Sequence, residues 1–305
     1  MSPSPEVKVS EELFAPVSPG VELCYQTFGE SDADPLLLVM GLGGPMTWWD
    51  AEFCTLLARK GFYVIRYDNR DTGKSTSMPD RVSRADVVRA GLGLPGAKAP
   101  YPLSDMASDA VGLLDHLGID AAHVAGISMG GMIVQTLAVE HPGRVRSLVS
   151  IMSTTGKRTV GWQHPSLLPR LLTKRPTERA AYVEQSVAMG AMIGSPAYPE
   201  PRESAVRRAE ETWDRGLNGP GVLRQMLAIL TQPNRSRALR SVTVPSMVIH
   251  GLADKMVHVS GGRATSAALP GSELLLVEGM GHDLPRDLWE SIADGIKRTA
   301  NRSSS

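Results

Sequence analysis

Short apolar runs alternate along this chain with longer segments of helical period. Leu36 to Met40 is continuously apolar and ends at a glycine, and Phe62 to Tyr67, Ala122 to Ile127, Val145 to Met152, Ser246 to His250 and Glu273 to Val277 repeat the style. Runs without clean polar alternation suit strands buried on both faces. Between them, Trp49 to Lys60, Ser104 to Leu117 and Met129 to His141 carry helical spacing. In the second of these, Met106, Ala110, Leu113, Leu114 and Leu117 share one face, Ser104 stands at the N-cap, and Asp105 lies at the positive end of the helix. Strand-helix alternation of this kind predicts a mainly parallel sheet covered on both sides. The start differs: Val21 to Phe28 alternates, and with Val7 to Phe14 it predicts an antiparallel edge hairpin turning at Pro19-Gly20, which brings the strands to eight.

Two regions break this rhythm. Lys157 to Ser241 holds four helical patterns and no strand: Ser166 to Lys174, Thr177 to Ile193, Pro201 to Gly216 and Val222 to Gln232. It reads as a helical cap, residues 157–241, inserted after strand six of a core built from residues 1–156 and 242–305. Met78 to Pro102, with its arginines and its Gly91-Leu92-Gly93-Leu94-Pro95-Gly96 tract, reads as an irregular loop with one short helix. Loops longer than about 12–15 residues inside a compact domain are usually functional or disordered. Ser303 to Ser305 reads as a disordered tail.

Composition narrows the classes. The 305 residues are 42% hydrophobic and 21% charged, and 32 basic residues balance 32 acidic ones. With no Lys/Arg-rich run there is no footprint for a polyanion, which argues against nucleic acid and anionic membrane surfaces as partners. Cys24 and Cys54 read as two buried thiols, since one pair makes no disulfide framework. Met1 to Gly20 contains Glu6, Glu11 and Glu12 and lacks a basic leader and an apolar core, so a cytoplasmic address is expected. Ala121 to Val139 carries no formal charge over 19 residues, near the roughly 20 that a membrane helix needs. Gly126, Gly130 and Gly131 interrupt it, and strand, turn and helix is the better reading; no membrane-spanning segment is expected.

That turn carries the chemistry. Gly126-Ile127-Ser128-Met129-Gly130 matches the G-x-S-x-G nucleophile elbow, at a strand end immediately before a helix, where the motif's mechanics require it. The strained turn needs small residues two before and two after the serine, and glycine occupies both. A free serine is a weak nucleophile, so an active Ser128 needs a base and a group that orients the base. For this elbow the chain order is Ser, then Asp or Glu, then His. Asp254 follows strand Ser246 to His250 through Gly251-Leu252-Ala253, and His282 follows strand Glu273 to Val277 through Glu278-Gly279-Met280-Gly281. All three then project from one edge of a parallel sheet, where ligands bind in open α/β folds. His282 takes the role of general base and Asp254 that of its orienting carboxylate. Of the other histidines, His250 lies inside a strand, His258 is too near Asp254 in sequence, and His116, His123, His141 and His164 flank helices or fall in the cap. An oxyanion needs two donors: Met129 N–H, and one from the loop Met40-Gly41-Leu42-Gly43-Gly44-Pro45, assigned to Leu42 with Gly43 as the alternative.

These residues together resemble the α/β-hydrolase superfamily, over about Val21 to Thr299. The stretch Arg66-Tyr67-Asp68-Asn69-Arg70-Asp71-Thr72-Gly73, with Met40-Gly41 and Gly279-Met280-Gly281-His282, is similar to a bacterial group that includes anthracycline methylesterases and lipase-type carboxylesterases. The resemblance implies an α/β-hydrolase fold and hydrolysis of carboxylic esters without cofactor or metal. It does not carry a substrate with it, because substrate choice lies in the cap. Two departures stand out: Met40-Gly41 replaces the family's more usual His-Gly, and Met78 to Pro102 is longer than in the methylesterase group. Competing motifs fail. Gly73-Lys74-Ser75 ends like a phosphate loop but has Asp68 where that loop needs glycine, Gly41-x-Gly43 has Met46 in place of a third glycine, and no His/Cys cluster has zinc spacing. Asp68 and Arg70 read as residues that hold their loop together.

Leu167, Leu168, Leu171, Leu172, Met189, Met192, Trp213, Met226, Leu227 and Leu230 supply the cap's apolar surface. A methionine-rich lining adapts to its ligand, and the expected substrate is a small-molecule apolar ester with a medium-length or aromatic acyl part. The same nucleophile could serve carbon–carbon bond hydrolysis, perhydrolysis or acyl transfer, and a binding protein on this scaffold is the reading from another class. Sequence leaves the oligomeric state open.

Overall fold

A computed structural model describes residues 6–167 and 176–303. Leu168, Leu171 and Leu172, most of the helical pattern Ser166 to Lys174, and the end of the serine tail lie outside the described residues. Eight strands form one sheet: β1 (Leu13–Ser18), β2 (Val21–Phe28), β3 (Asp34–Val39), β4 (Phe62–Tyr67), β5 (Ala122–Ile127), β6 (Val145–Ile151), β7 (Ser246–Gly251) and β8 (Glu273–Val277). Their spatial order is β1-β2-β4-β3-β5-β6-β7-β8. β1 and β2 pair antiparallel, as do β2 and β4, and every other pairing is parallel.

The apolar runs are strands because both faces are covered. In β3, Leu36 and Leu38 face one core and Leu37 and Val39 the other; β5 divides Ala125 and Ile127 from Ala122 and Val124 in the same way. One core is closed by α1 (Ala51–Arg59), through Phe53, Cys54 and Leu57, and by the C-terminal helix, through Ile292, Ala293 and Ile296. The other is closed by α3 (Leu103–His116), through Met106, Ala110, Leu113 and Leu114, and by α4 (Met129–Glu140). Each fully buried leucine contributes about 1.5–3 kcal/mol over leaving it in water. Both cysteines are free and buried, and burial pushes each thiol up to about 12. Among the described residues no helix is long and apolar enough to cross a membrane, and the uncharged run after Ala121 is β5 followed by α4.

Two local expectations are corrected, and the short helix expected within Met78 to Pro102 is present. The first strand of the hairpin is Leu13–Ser18, not Val7 to Phe14, because the turn at Pro19-Gly20 brings Ser18 opposite Val21 and leaves Val9 only an isolated bridge to Phe28. Ser104 is not an N-cap: α3 begins one residue earlier behind Pro102, and the Ser104 hydroxyl donates to Glu140 at 2.8 Å. Within the Met78 to Pro102 stretch, α2 (Arg84–Gly91) is fixed by a reciprocal capping box between Ser83 and Asp86, and Arg158 donates to the carbonyls of Ala90 and Gly91 at the helix's other end.

Between β6 and β7 lie α5 (Arg179–Ile193), α6 (Arg202–Arg215) and α7 (Gly219–Thr231). Val183 and Val187 of α5 and Ala205 and Ala209 of α6 form a small core of their own. Ala228 of α7 belongs instead to the α3/α4 core. After β7 come α8 (Ser260–Ala268) and α9 (Trp289–Asn301).

Candidate active site

Ser128 stands between β5 and α4 with φ 57° and ψ −117°. A non-glycine residue there costs about 1–3 kcal/mol and persists only where its surroundings impose it. Here they do. Ser128 N–H donates to Ile151 O at 2.9 Å, and Ser128 O accepts from the Ser153 hydroxyl at 2.7 Å. A Cβ on Gly126 would lie 2.2 Å from Gly130 O, and one on Gly130 would lie 2.1 Å from Val39 O, so the turn closes only with glycine at both positions. Of the described residues, Asp71 and Met152 are the other non-glycines with positive φ. Met152 N–H bonds Ile249 O at 2.8 Å, beside the elbow, and Asp71 sits in the loop after β4. Strain in this chain therefore gathers around one sheet edge.

Asp254 and His282 meet on that edge because β7 and β8 are parallel neighbours, with Gly251 opposite Val277. His282 Nδ1 lies 2.7 Å from Asp254 Oδ2. With the carboxylate as acceptor, Nδ1 carries the proton and Nε2 is left as the basic nitrogen. Asp254 Oδ1 accepts from the N–H groups of Met256 and Val257, both at 2.8 Å. His250, fully buried, donates from Nε2 to Val257 O at 2.8 Å and stands 3.5 Å from Asp254 Oδ2. Burial would push the Asp254 carboxyl up, but the His282 and His250 imidazoles outweigh it and hold the group well below the usual carboxylate range. Among the described residues the Ser128 hydroxyl makes no side-chain hydrogen bond, to His282 or elsewhere; such bonds are often long without substrate and tighten in the reacting complex.

The His282 loop is held from the inserted helices. His282 N–H donates to Ile193 O at 2.7 Å, and Gly281 N–H donates to the Ser195 hydroxyl at 2.8 Å, which itself donates to Asp283. A Cβ on Gly281 would meet Gly194 O at 2.3 Å, so the end of α5 lies directly against this turn.

The loop after β3 passes beside the serine: a Cβ on Gly41 would be 3.2 Å from Ser128 Cβ. Asn69 Nδ2 donates to Met40 O at 2.9 Å, and Gly43 N–H donates to Gln225 Oε1 at 2.8 Å. Gly43 N–H is therefore already engaged, whereas Leu42 N–H and Met129 N–H have no acceptor among the described residues. The loop Tyr67 to Ser75 is, as Asp68 and Arg70 suggest, held by charge. Buried Asp68 accepts from Met46 N–H, Lys74 N–H and the Arg215 guanidinium, and Arg70 grips Asp109 at 2.6 and 2.7 Å. Asp71 takes Arg224 at 2.8 and 2.6 Å and the Tyr101 hydroxyl at 2.6 Å. Among the described residues no three His, Cys, Asp or Glu side chains gather into a metal cradle.

Gln225, Ser153, Ser195, Asp283 and His250 are the residues around the site that motif reading passes over. Gln225 is fully buried, and such a group must have a partner, but nothing in its local sequence marks it. Of the expected apolar surface, Leu167 and Leu227 are fully buried in packing, whereas Met189, Met192, Trp213, Met226 and Leu230 are half-buried.

A doubly covered, mostly parallel sheet with a strained serine at one strand end and an Asp–His pair beyond two others defines a class. The chain belongs to the α/β-hydrolase family, whose model, described as alpha/beta hydrolase fold, matches residues 34–285. Among its relatives is the rhodomycin D methylesterase DnrP of Streptomyces peucetius, 30% identical over 302 residues that cover 90% of this chain and 94% of the relative. The 3-oxoadipate enol-lactonase 2 of Acinetobacter baylyi is 25% identical over 260 residues, covering 85% of each. The crystal structure of the enol-lactonase from Burkholderia xenovorans LB400 superposes with a TM-score of 0.74 at 22% identity, over 95% of this chain and all of that one, and so shares the fold.

Proposed function

We propose that this protein is a serine hydrolase of carboxylic esters that works through an acyl-enzyme, with Ser128 as nucleophile, His282 as general base and Asp254 as the group that orients it. The observation that carries the reading is the 2.7 Å contact of His282 Nδ1 with Asp254, on the same sheet edge as the strained Ser128. Two relatives named for ester and lactone hydrolysis support it.

In the first half-reaction Ser128 Oγ attacks the ester carbonyl carbon and its proton passes to His282 Nε2. The oxyanion is received by the free N–H groups of Leu42 and Met129, the latter at the positive end of α4. The carbon–oxygen bond to the leaving alcohol then breaks, and the alkoxide takes the proton from His282. Water repeats the sequence on the acyl-enzyme and releases the acid. Asp254 stays ionised throughout and stabilises the imidazolium, a task its depressed proton affinity suits.

Residues 157–241 act in this reading as the cap over a core of residues 1–156 and 242–305. The half-buried Met189, Met192, Trp213, Met226 and Leu230 give the acyl part an adaptable apolar wall, which favours a medium-length or aromatic acyl group. A panel of p-nitrophenyl esters of graded acyl length, together with methyl esters of aromatic acids, tests the substrate class. Fluorophosphonate labelling tests the nucleophile: it should stop turnover and modify Ser128. A Ser128→Ala protein that keeps full activity would refute the proposal.

A further inference from the structure

The oxyanion loop is held from outside its own domain layer. Met40 O is tied by Asn69, and three residues on, Gly43 N–H is tied by Gln225 Oε1 at 2.8 Å. Gln225 has no exposure and uses its whole amide: Nε2 donates to Arg70 O at 2.7 Å and to the Thr72 hydroxyl at 2.9 Å. Its neighbour on α7, Val222, presses on the same point, since a Cβ on Gly43 would lie 2.6 Å from Val222 Cγ2. Gly43 N–H belongs to the Leu42–Gly43 peptide, which adjoins across Leu42 Cα the Gly41–Leu42 peptide that carries Leu42 N–H, so holding the first limits how far the second can turn. One side chain from the segment between β6 and β7 thus binds the loop after β3 to the loop after β4 at the peptide next to the free Leu42 donor.

We propose that Gln225 is a positioning residue for the oxyanion hole: by accepting from Gly43 N–H it aims Leu42 N–H at the developing oxyanion, without itself touching substrate. The inference rests on the ester-hydrolase reading above. Oxyanion donors act only if aimed where charge develops, and a misdirected donor loses transition-state stabilisation while ground-state binding through the apolar wall is kept. The expected signature is a fall in kcat with little change in KM.

The test compares wild type, Gln225→Met and Gln225→Glu, each with its functional serine counted by the stoichiometric p-nitrophenol burst from diethyl p-nitrophenyl phosphate. Misfolded molecules then drop out of the measured rate. Met keeps the side-chain length without an acceptor, whereas Glu keeps an acceptor for Gly43 and loses the amide donor. With p-nitrophenyl butyrate, Gln225→Met should lose about 10- to 100-fold in kcat per titrated serine, less than the roughly 10²–10³ of a deleted donor, with KM within about twofold. Its affinity for 1,1,1-trifluorododecan-2-one, which forms a tetrahedral adduct with the serine, should fall by the same factor, and Gln225→Glu should lie between Gln225→Met and wild type. A kcat per titrated serine within twofold of wild type in both variants, or a loss confined to KM, overturns the inference. Should Gln225→Met yield no titratable serine, Gln225→Glu decides by the same criterion. Failure of the underlying reading looks different: wild type shows no burst and Ser128→Ala stays active, which takes both proposals down, whereas a normal burst with indifferent Gln225 variants removes this one alone.

Discussion

Replacing Gly126 by alanine puts the elbow's geometry to a quantitative test. The added Cβ would lie 2.2 Å from Gly130 O, 2.4 Å from Gly130 C and 2.7 Å from Gly131 N. All three are backbone atoms of the first turn of α4, so no side chain can swing aside. Restoring ordinary contact requires the helix start to move away from β5 by about 1 Å. Overpacking a tight interior costs about 1–3 kcal/mol, and a rigid backbone neighbour puts this site at the upper end, near 3. Unfolding entropy of about 2.1 cal/mol/K per residue, taken over 305 residues, gives about 0.64 kcal/mol/K, so the melting temperature should drop by about 5 °C. The same shift carries Ser128 and Met129 N–H with it, and a misplacement of about 1 Å costs on the order of 10²-fold in rate. Calorimetry and kcat/KM on a p-nitrophenyl ester read the two effects. Gly143→Ala is the control, since nothing lies within 4 Å of its Cβ and its φ is not positive; it should be neutral or slightly stabilising. A Gly126→Ala protein that melts within 1 °C of wild type, or so, and turns over at an unchanged rate would refute the close approach of β5 and α4.

Two further sites give testable outcomes. Asp254→Asn should reduce kcat by about 10⁴-fold, because an amide in place of the carboxylate no longer fixes the imidazole tautomer. Because the folded Asp254 carboxyl is held below its unfolded value of about 3.9, its contribution to stability is present above that pH and is lost as pH falls towards the folded pKa. Urea unfolding of wild type and variant should therefore give a stability difference that is level near neutrality and narrows from about pH 4 downwards; a difference that widens on acidification contradicts the assignment. Arg224→Met should destabilise by about 3 kcal/mol, the low end for breaking a buried ion pair, because Asp71 keeps the Tyr101 hydroxyl and Met78 N–H. Adding Asp71→Asn should restore part of that loss, and additive single effects in the cycle would show that the pair is not coupled.

What could be read from the chain follows the range of the interactions. Phe62–Tyr67 and Ala122–Ile127 are legible as strands because burial on both faces leaves a continuous apolar run and helices on either side follow their own period. The order of Ser128, Asp254 and His282 is legible because Ser128 directly follows a strand inside a glycine-bracketed motif, and Asp254 and His282 each follow a strand through a short glycine-bearing turn, a local signal. The first strand of the hairpin is misplaced because Val7 to Phe14 and Leu13–Ser18 both carry apolar positions, and only the pairing of Ser18 with Val21 chooses between them. Ser104 fails as a cap for a related reason: its hydroxyl finds Glu140, 36 residues away. Gln225 is the extreme case, with partners between 153 and 182 residues distant, and no local pattern encodes such a contact.

Charge balance has a counterpart inside the molecule that a sum over the chain conceals. Arg70 with Asp109, Arg215 with Asp68 and Arg224 with Asp71 are buried pairs, and every one has a member in the loop after β4. Two of the three arginines come from the chain between β6 and β7, as does Gln225. That segment therefore divides. Arg215 at the end of α6, Arg224 and Gln225 on α7, and Ile193 to Ser195 at the end of α5 are wired to the loops after β3, β4 and β8. The remainder of α5 and α6 rests on its own small core of Val183, Val187, Ala205 and Ala209. Thr212 of α6 still accepts from Trp48 Nε1 in the loop after β3 at 3.0 Å. Away from that residue, substitutions on this second part should change the proposed apolar wall without disturbing the peptide planes around Ser128, because no other hydrogen bond found there runs to the loops after β3 or β8. If the proposed ester hydrolysis holds, selection for a new acyl group has least to disrupt at such positions, and Met189 on α5 is the first to vary in a search for altered ester preference.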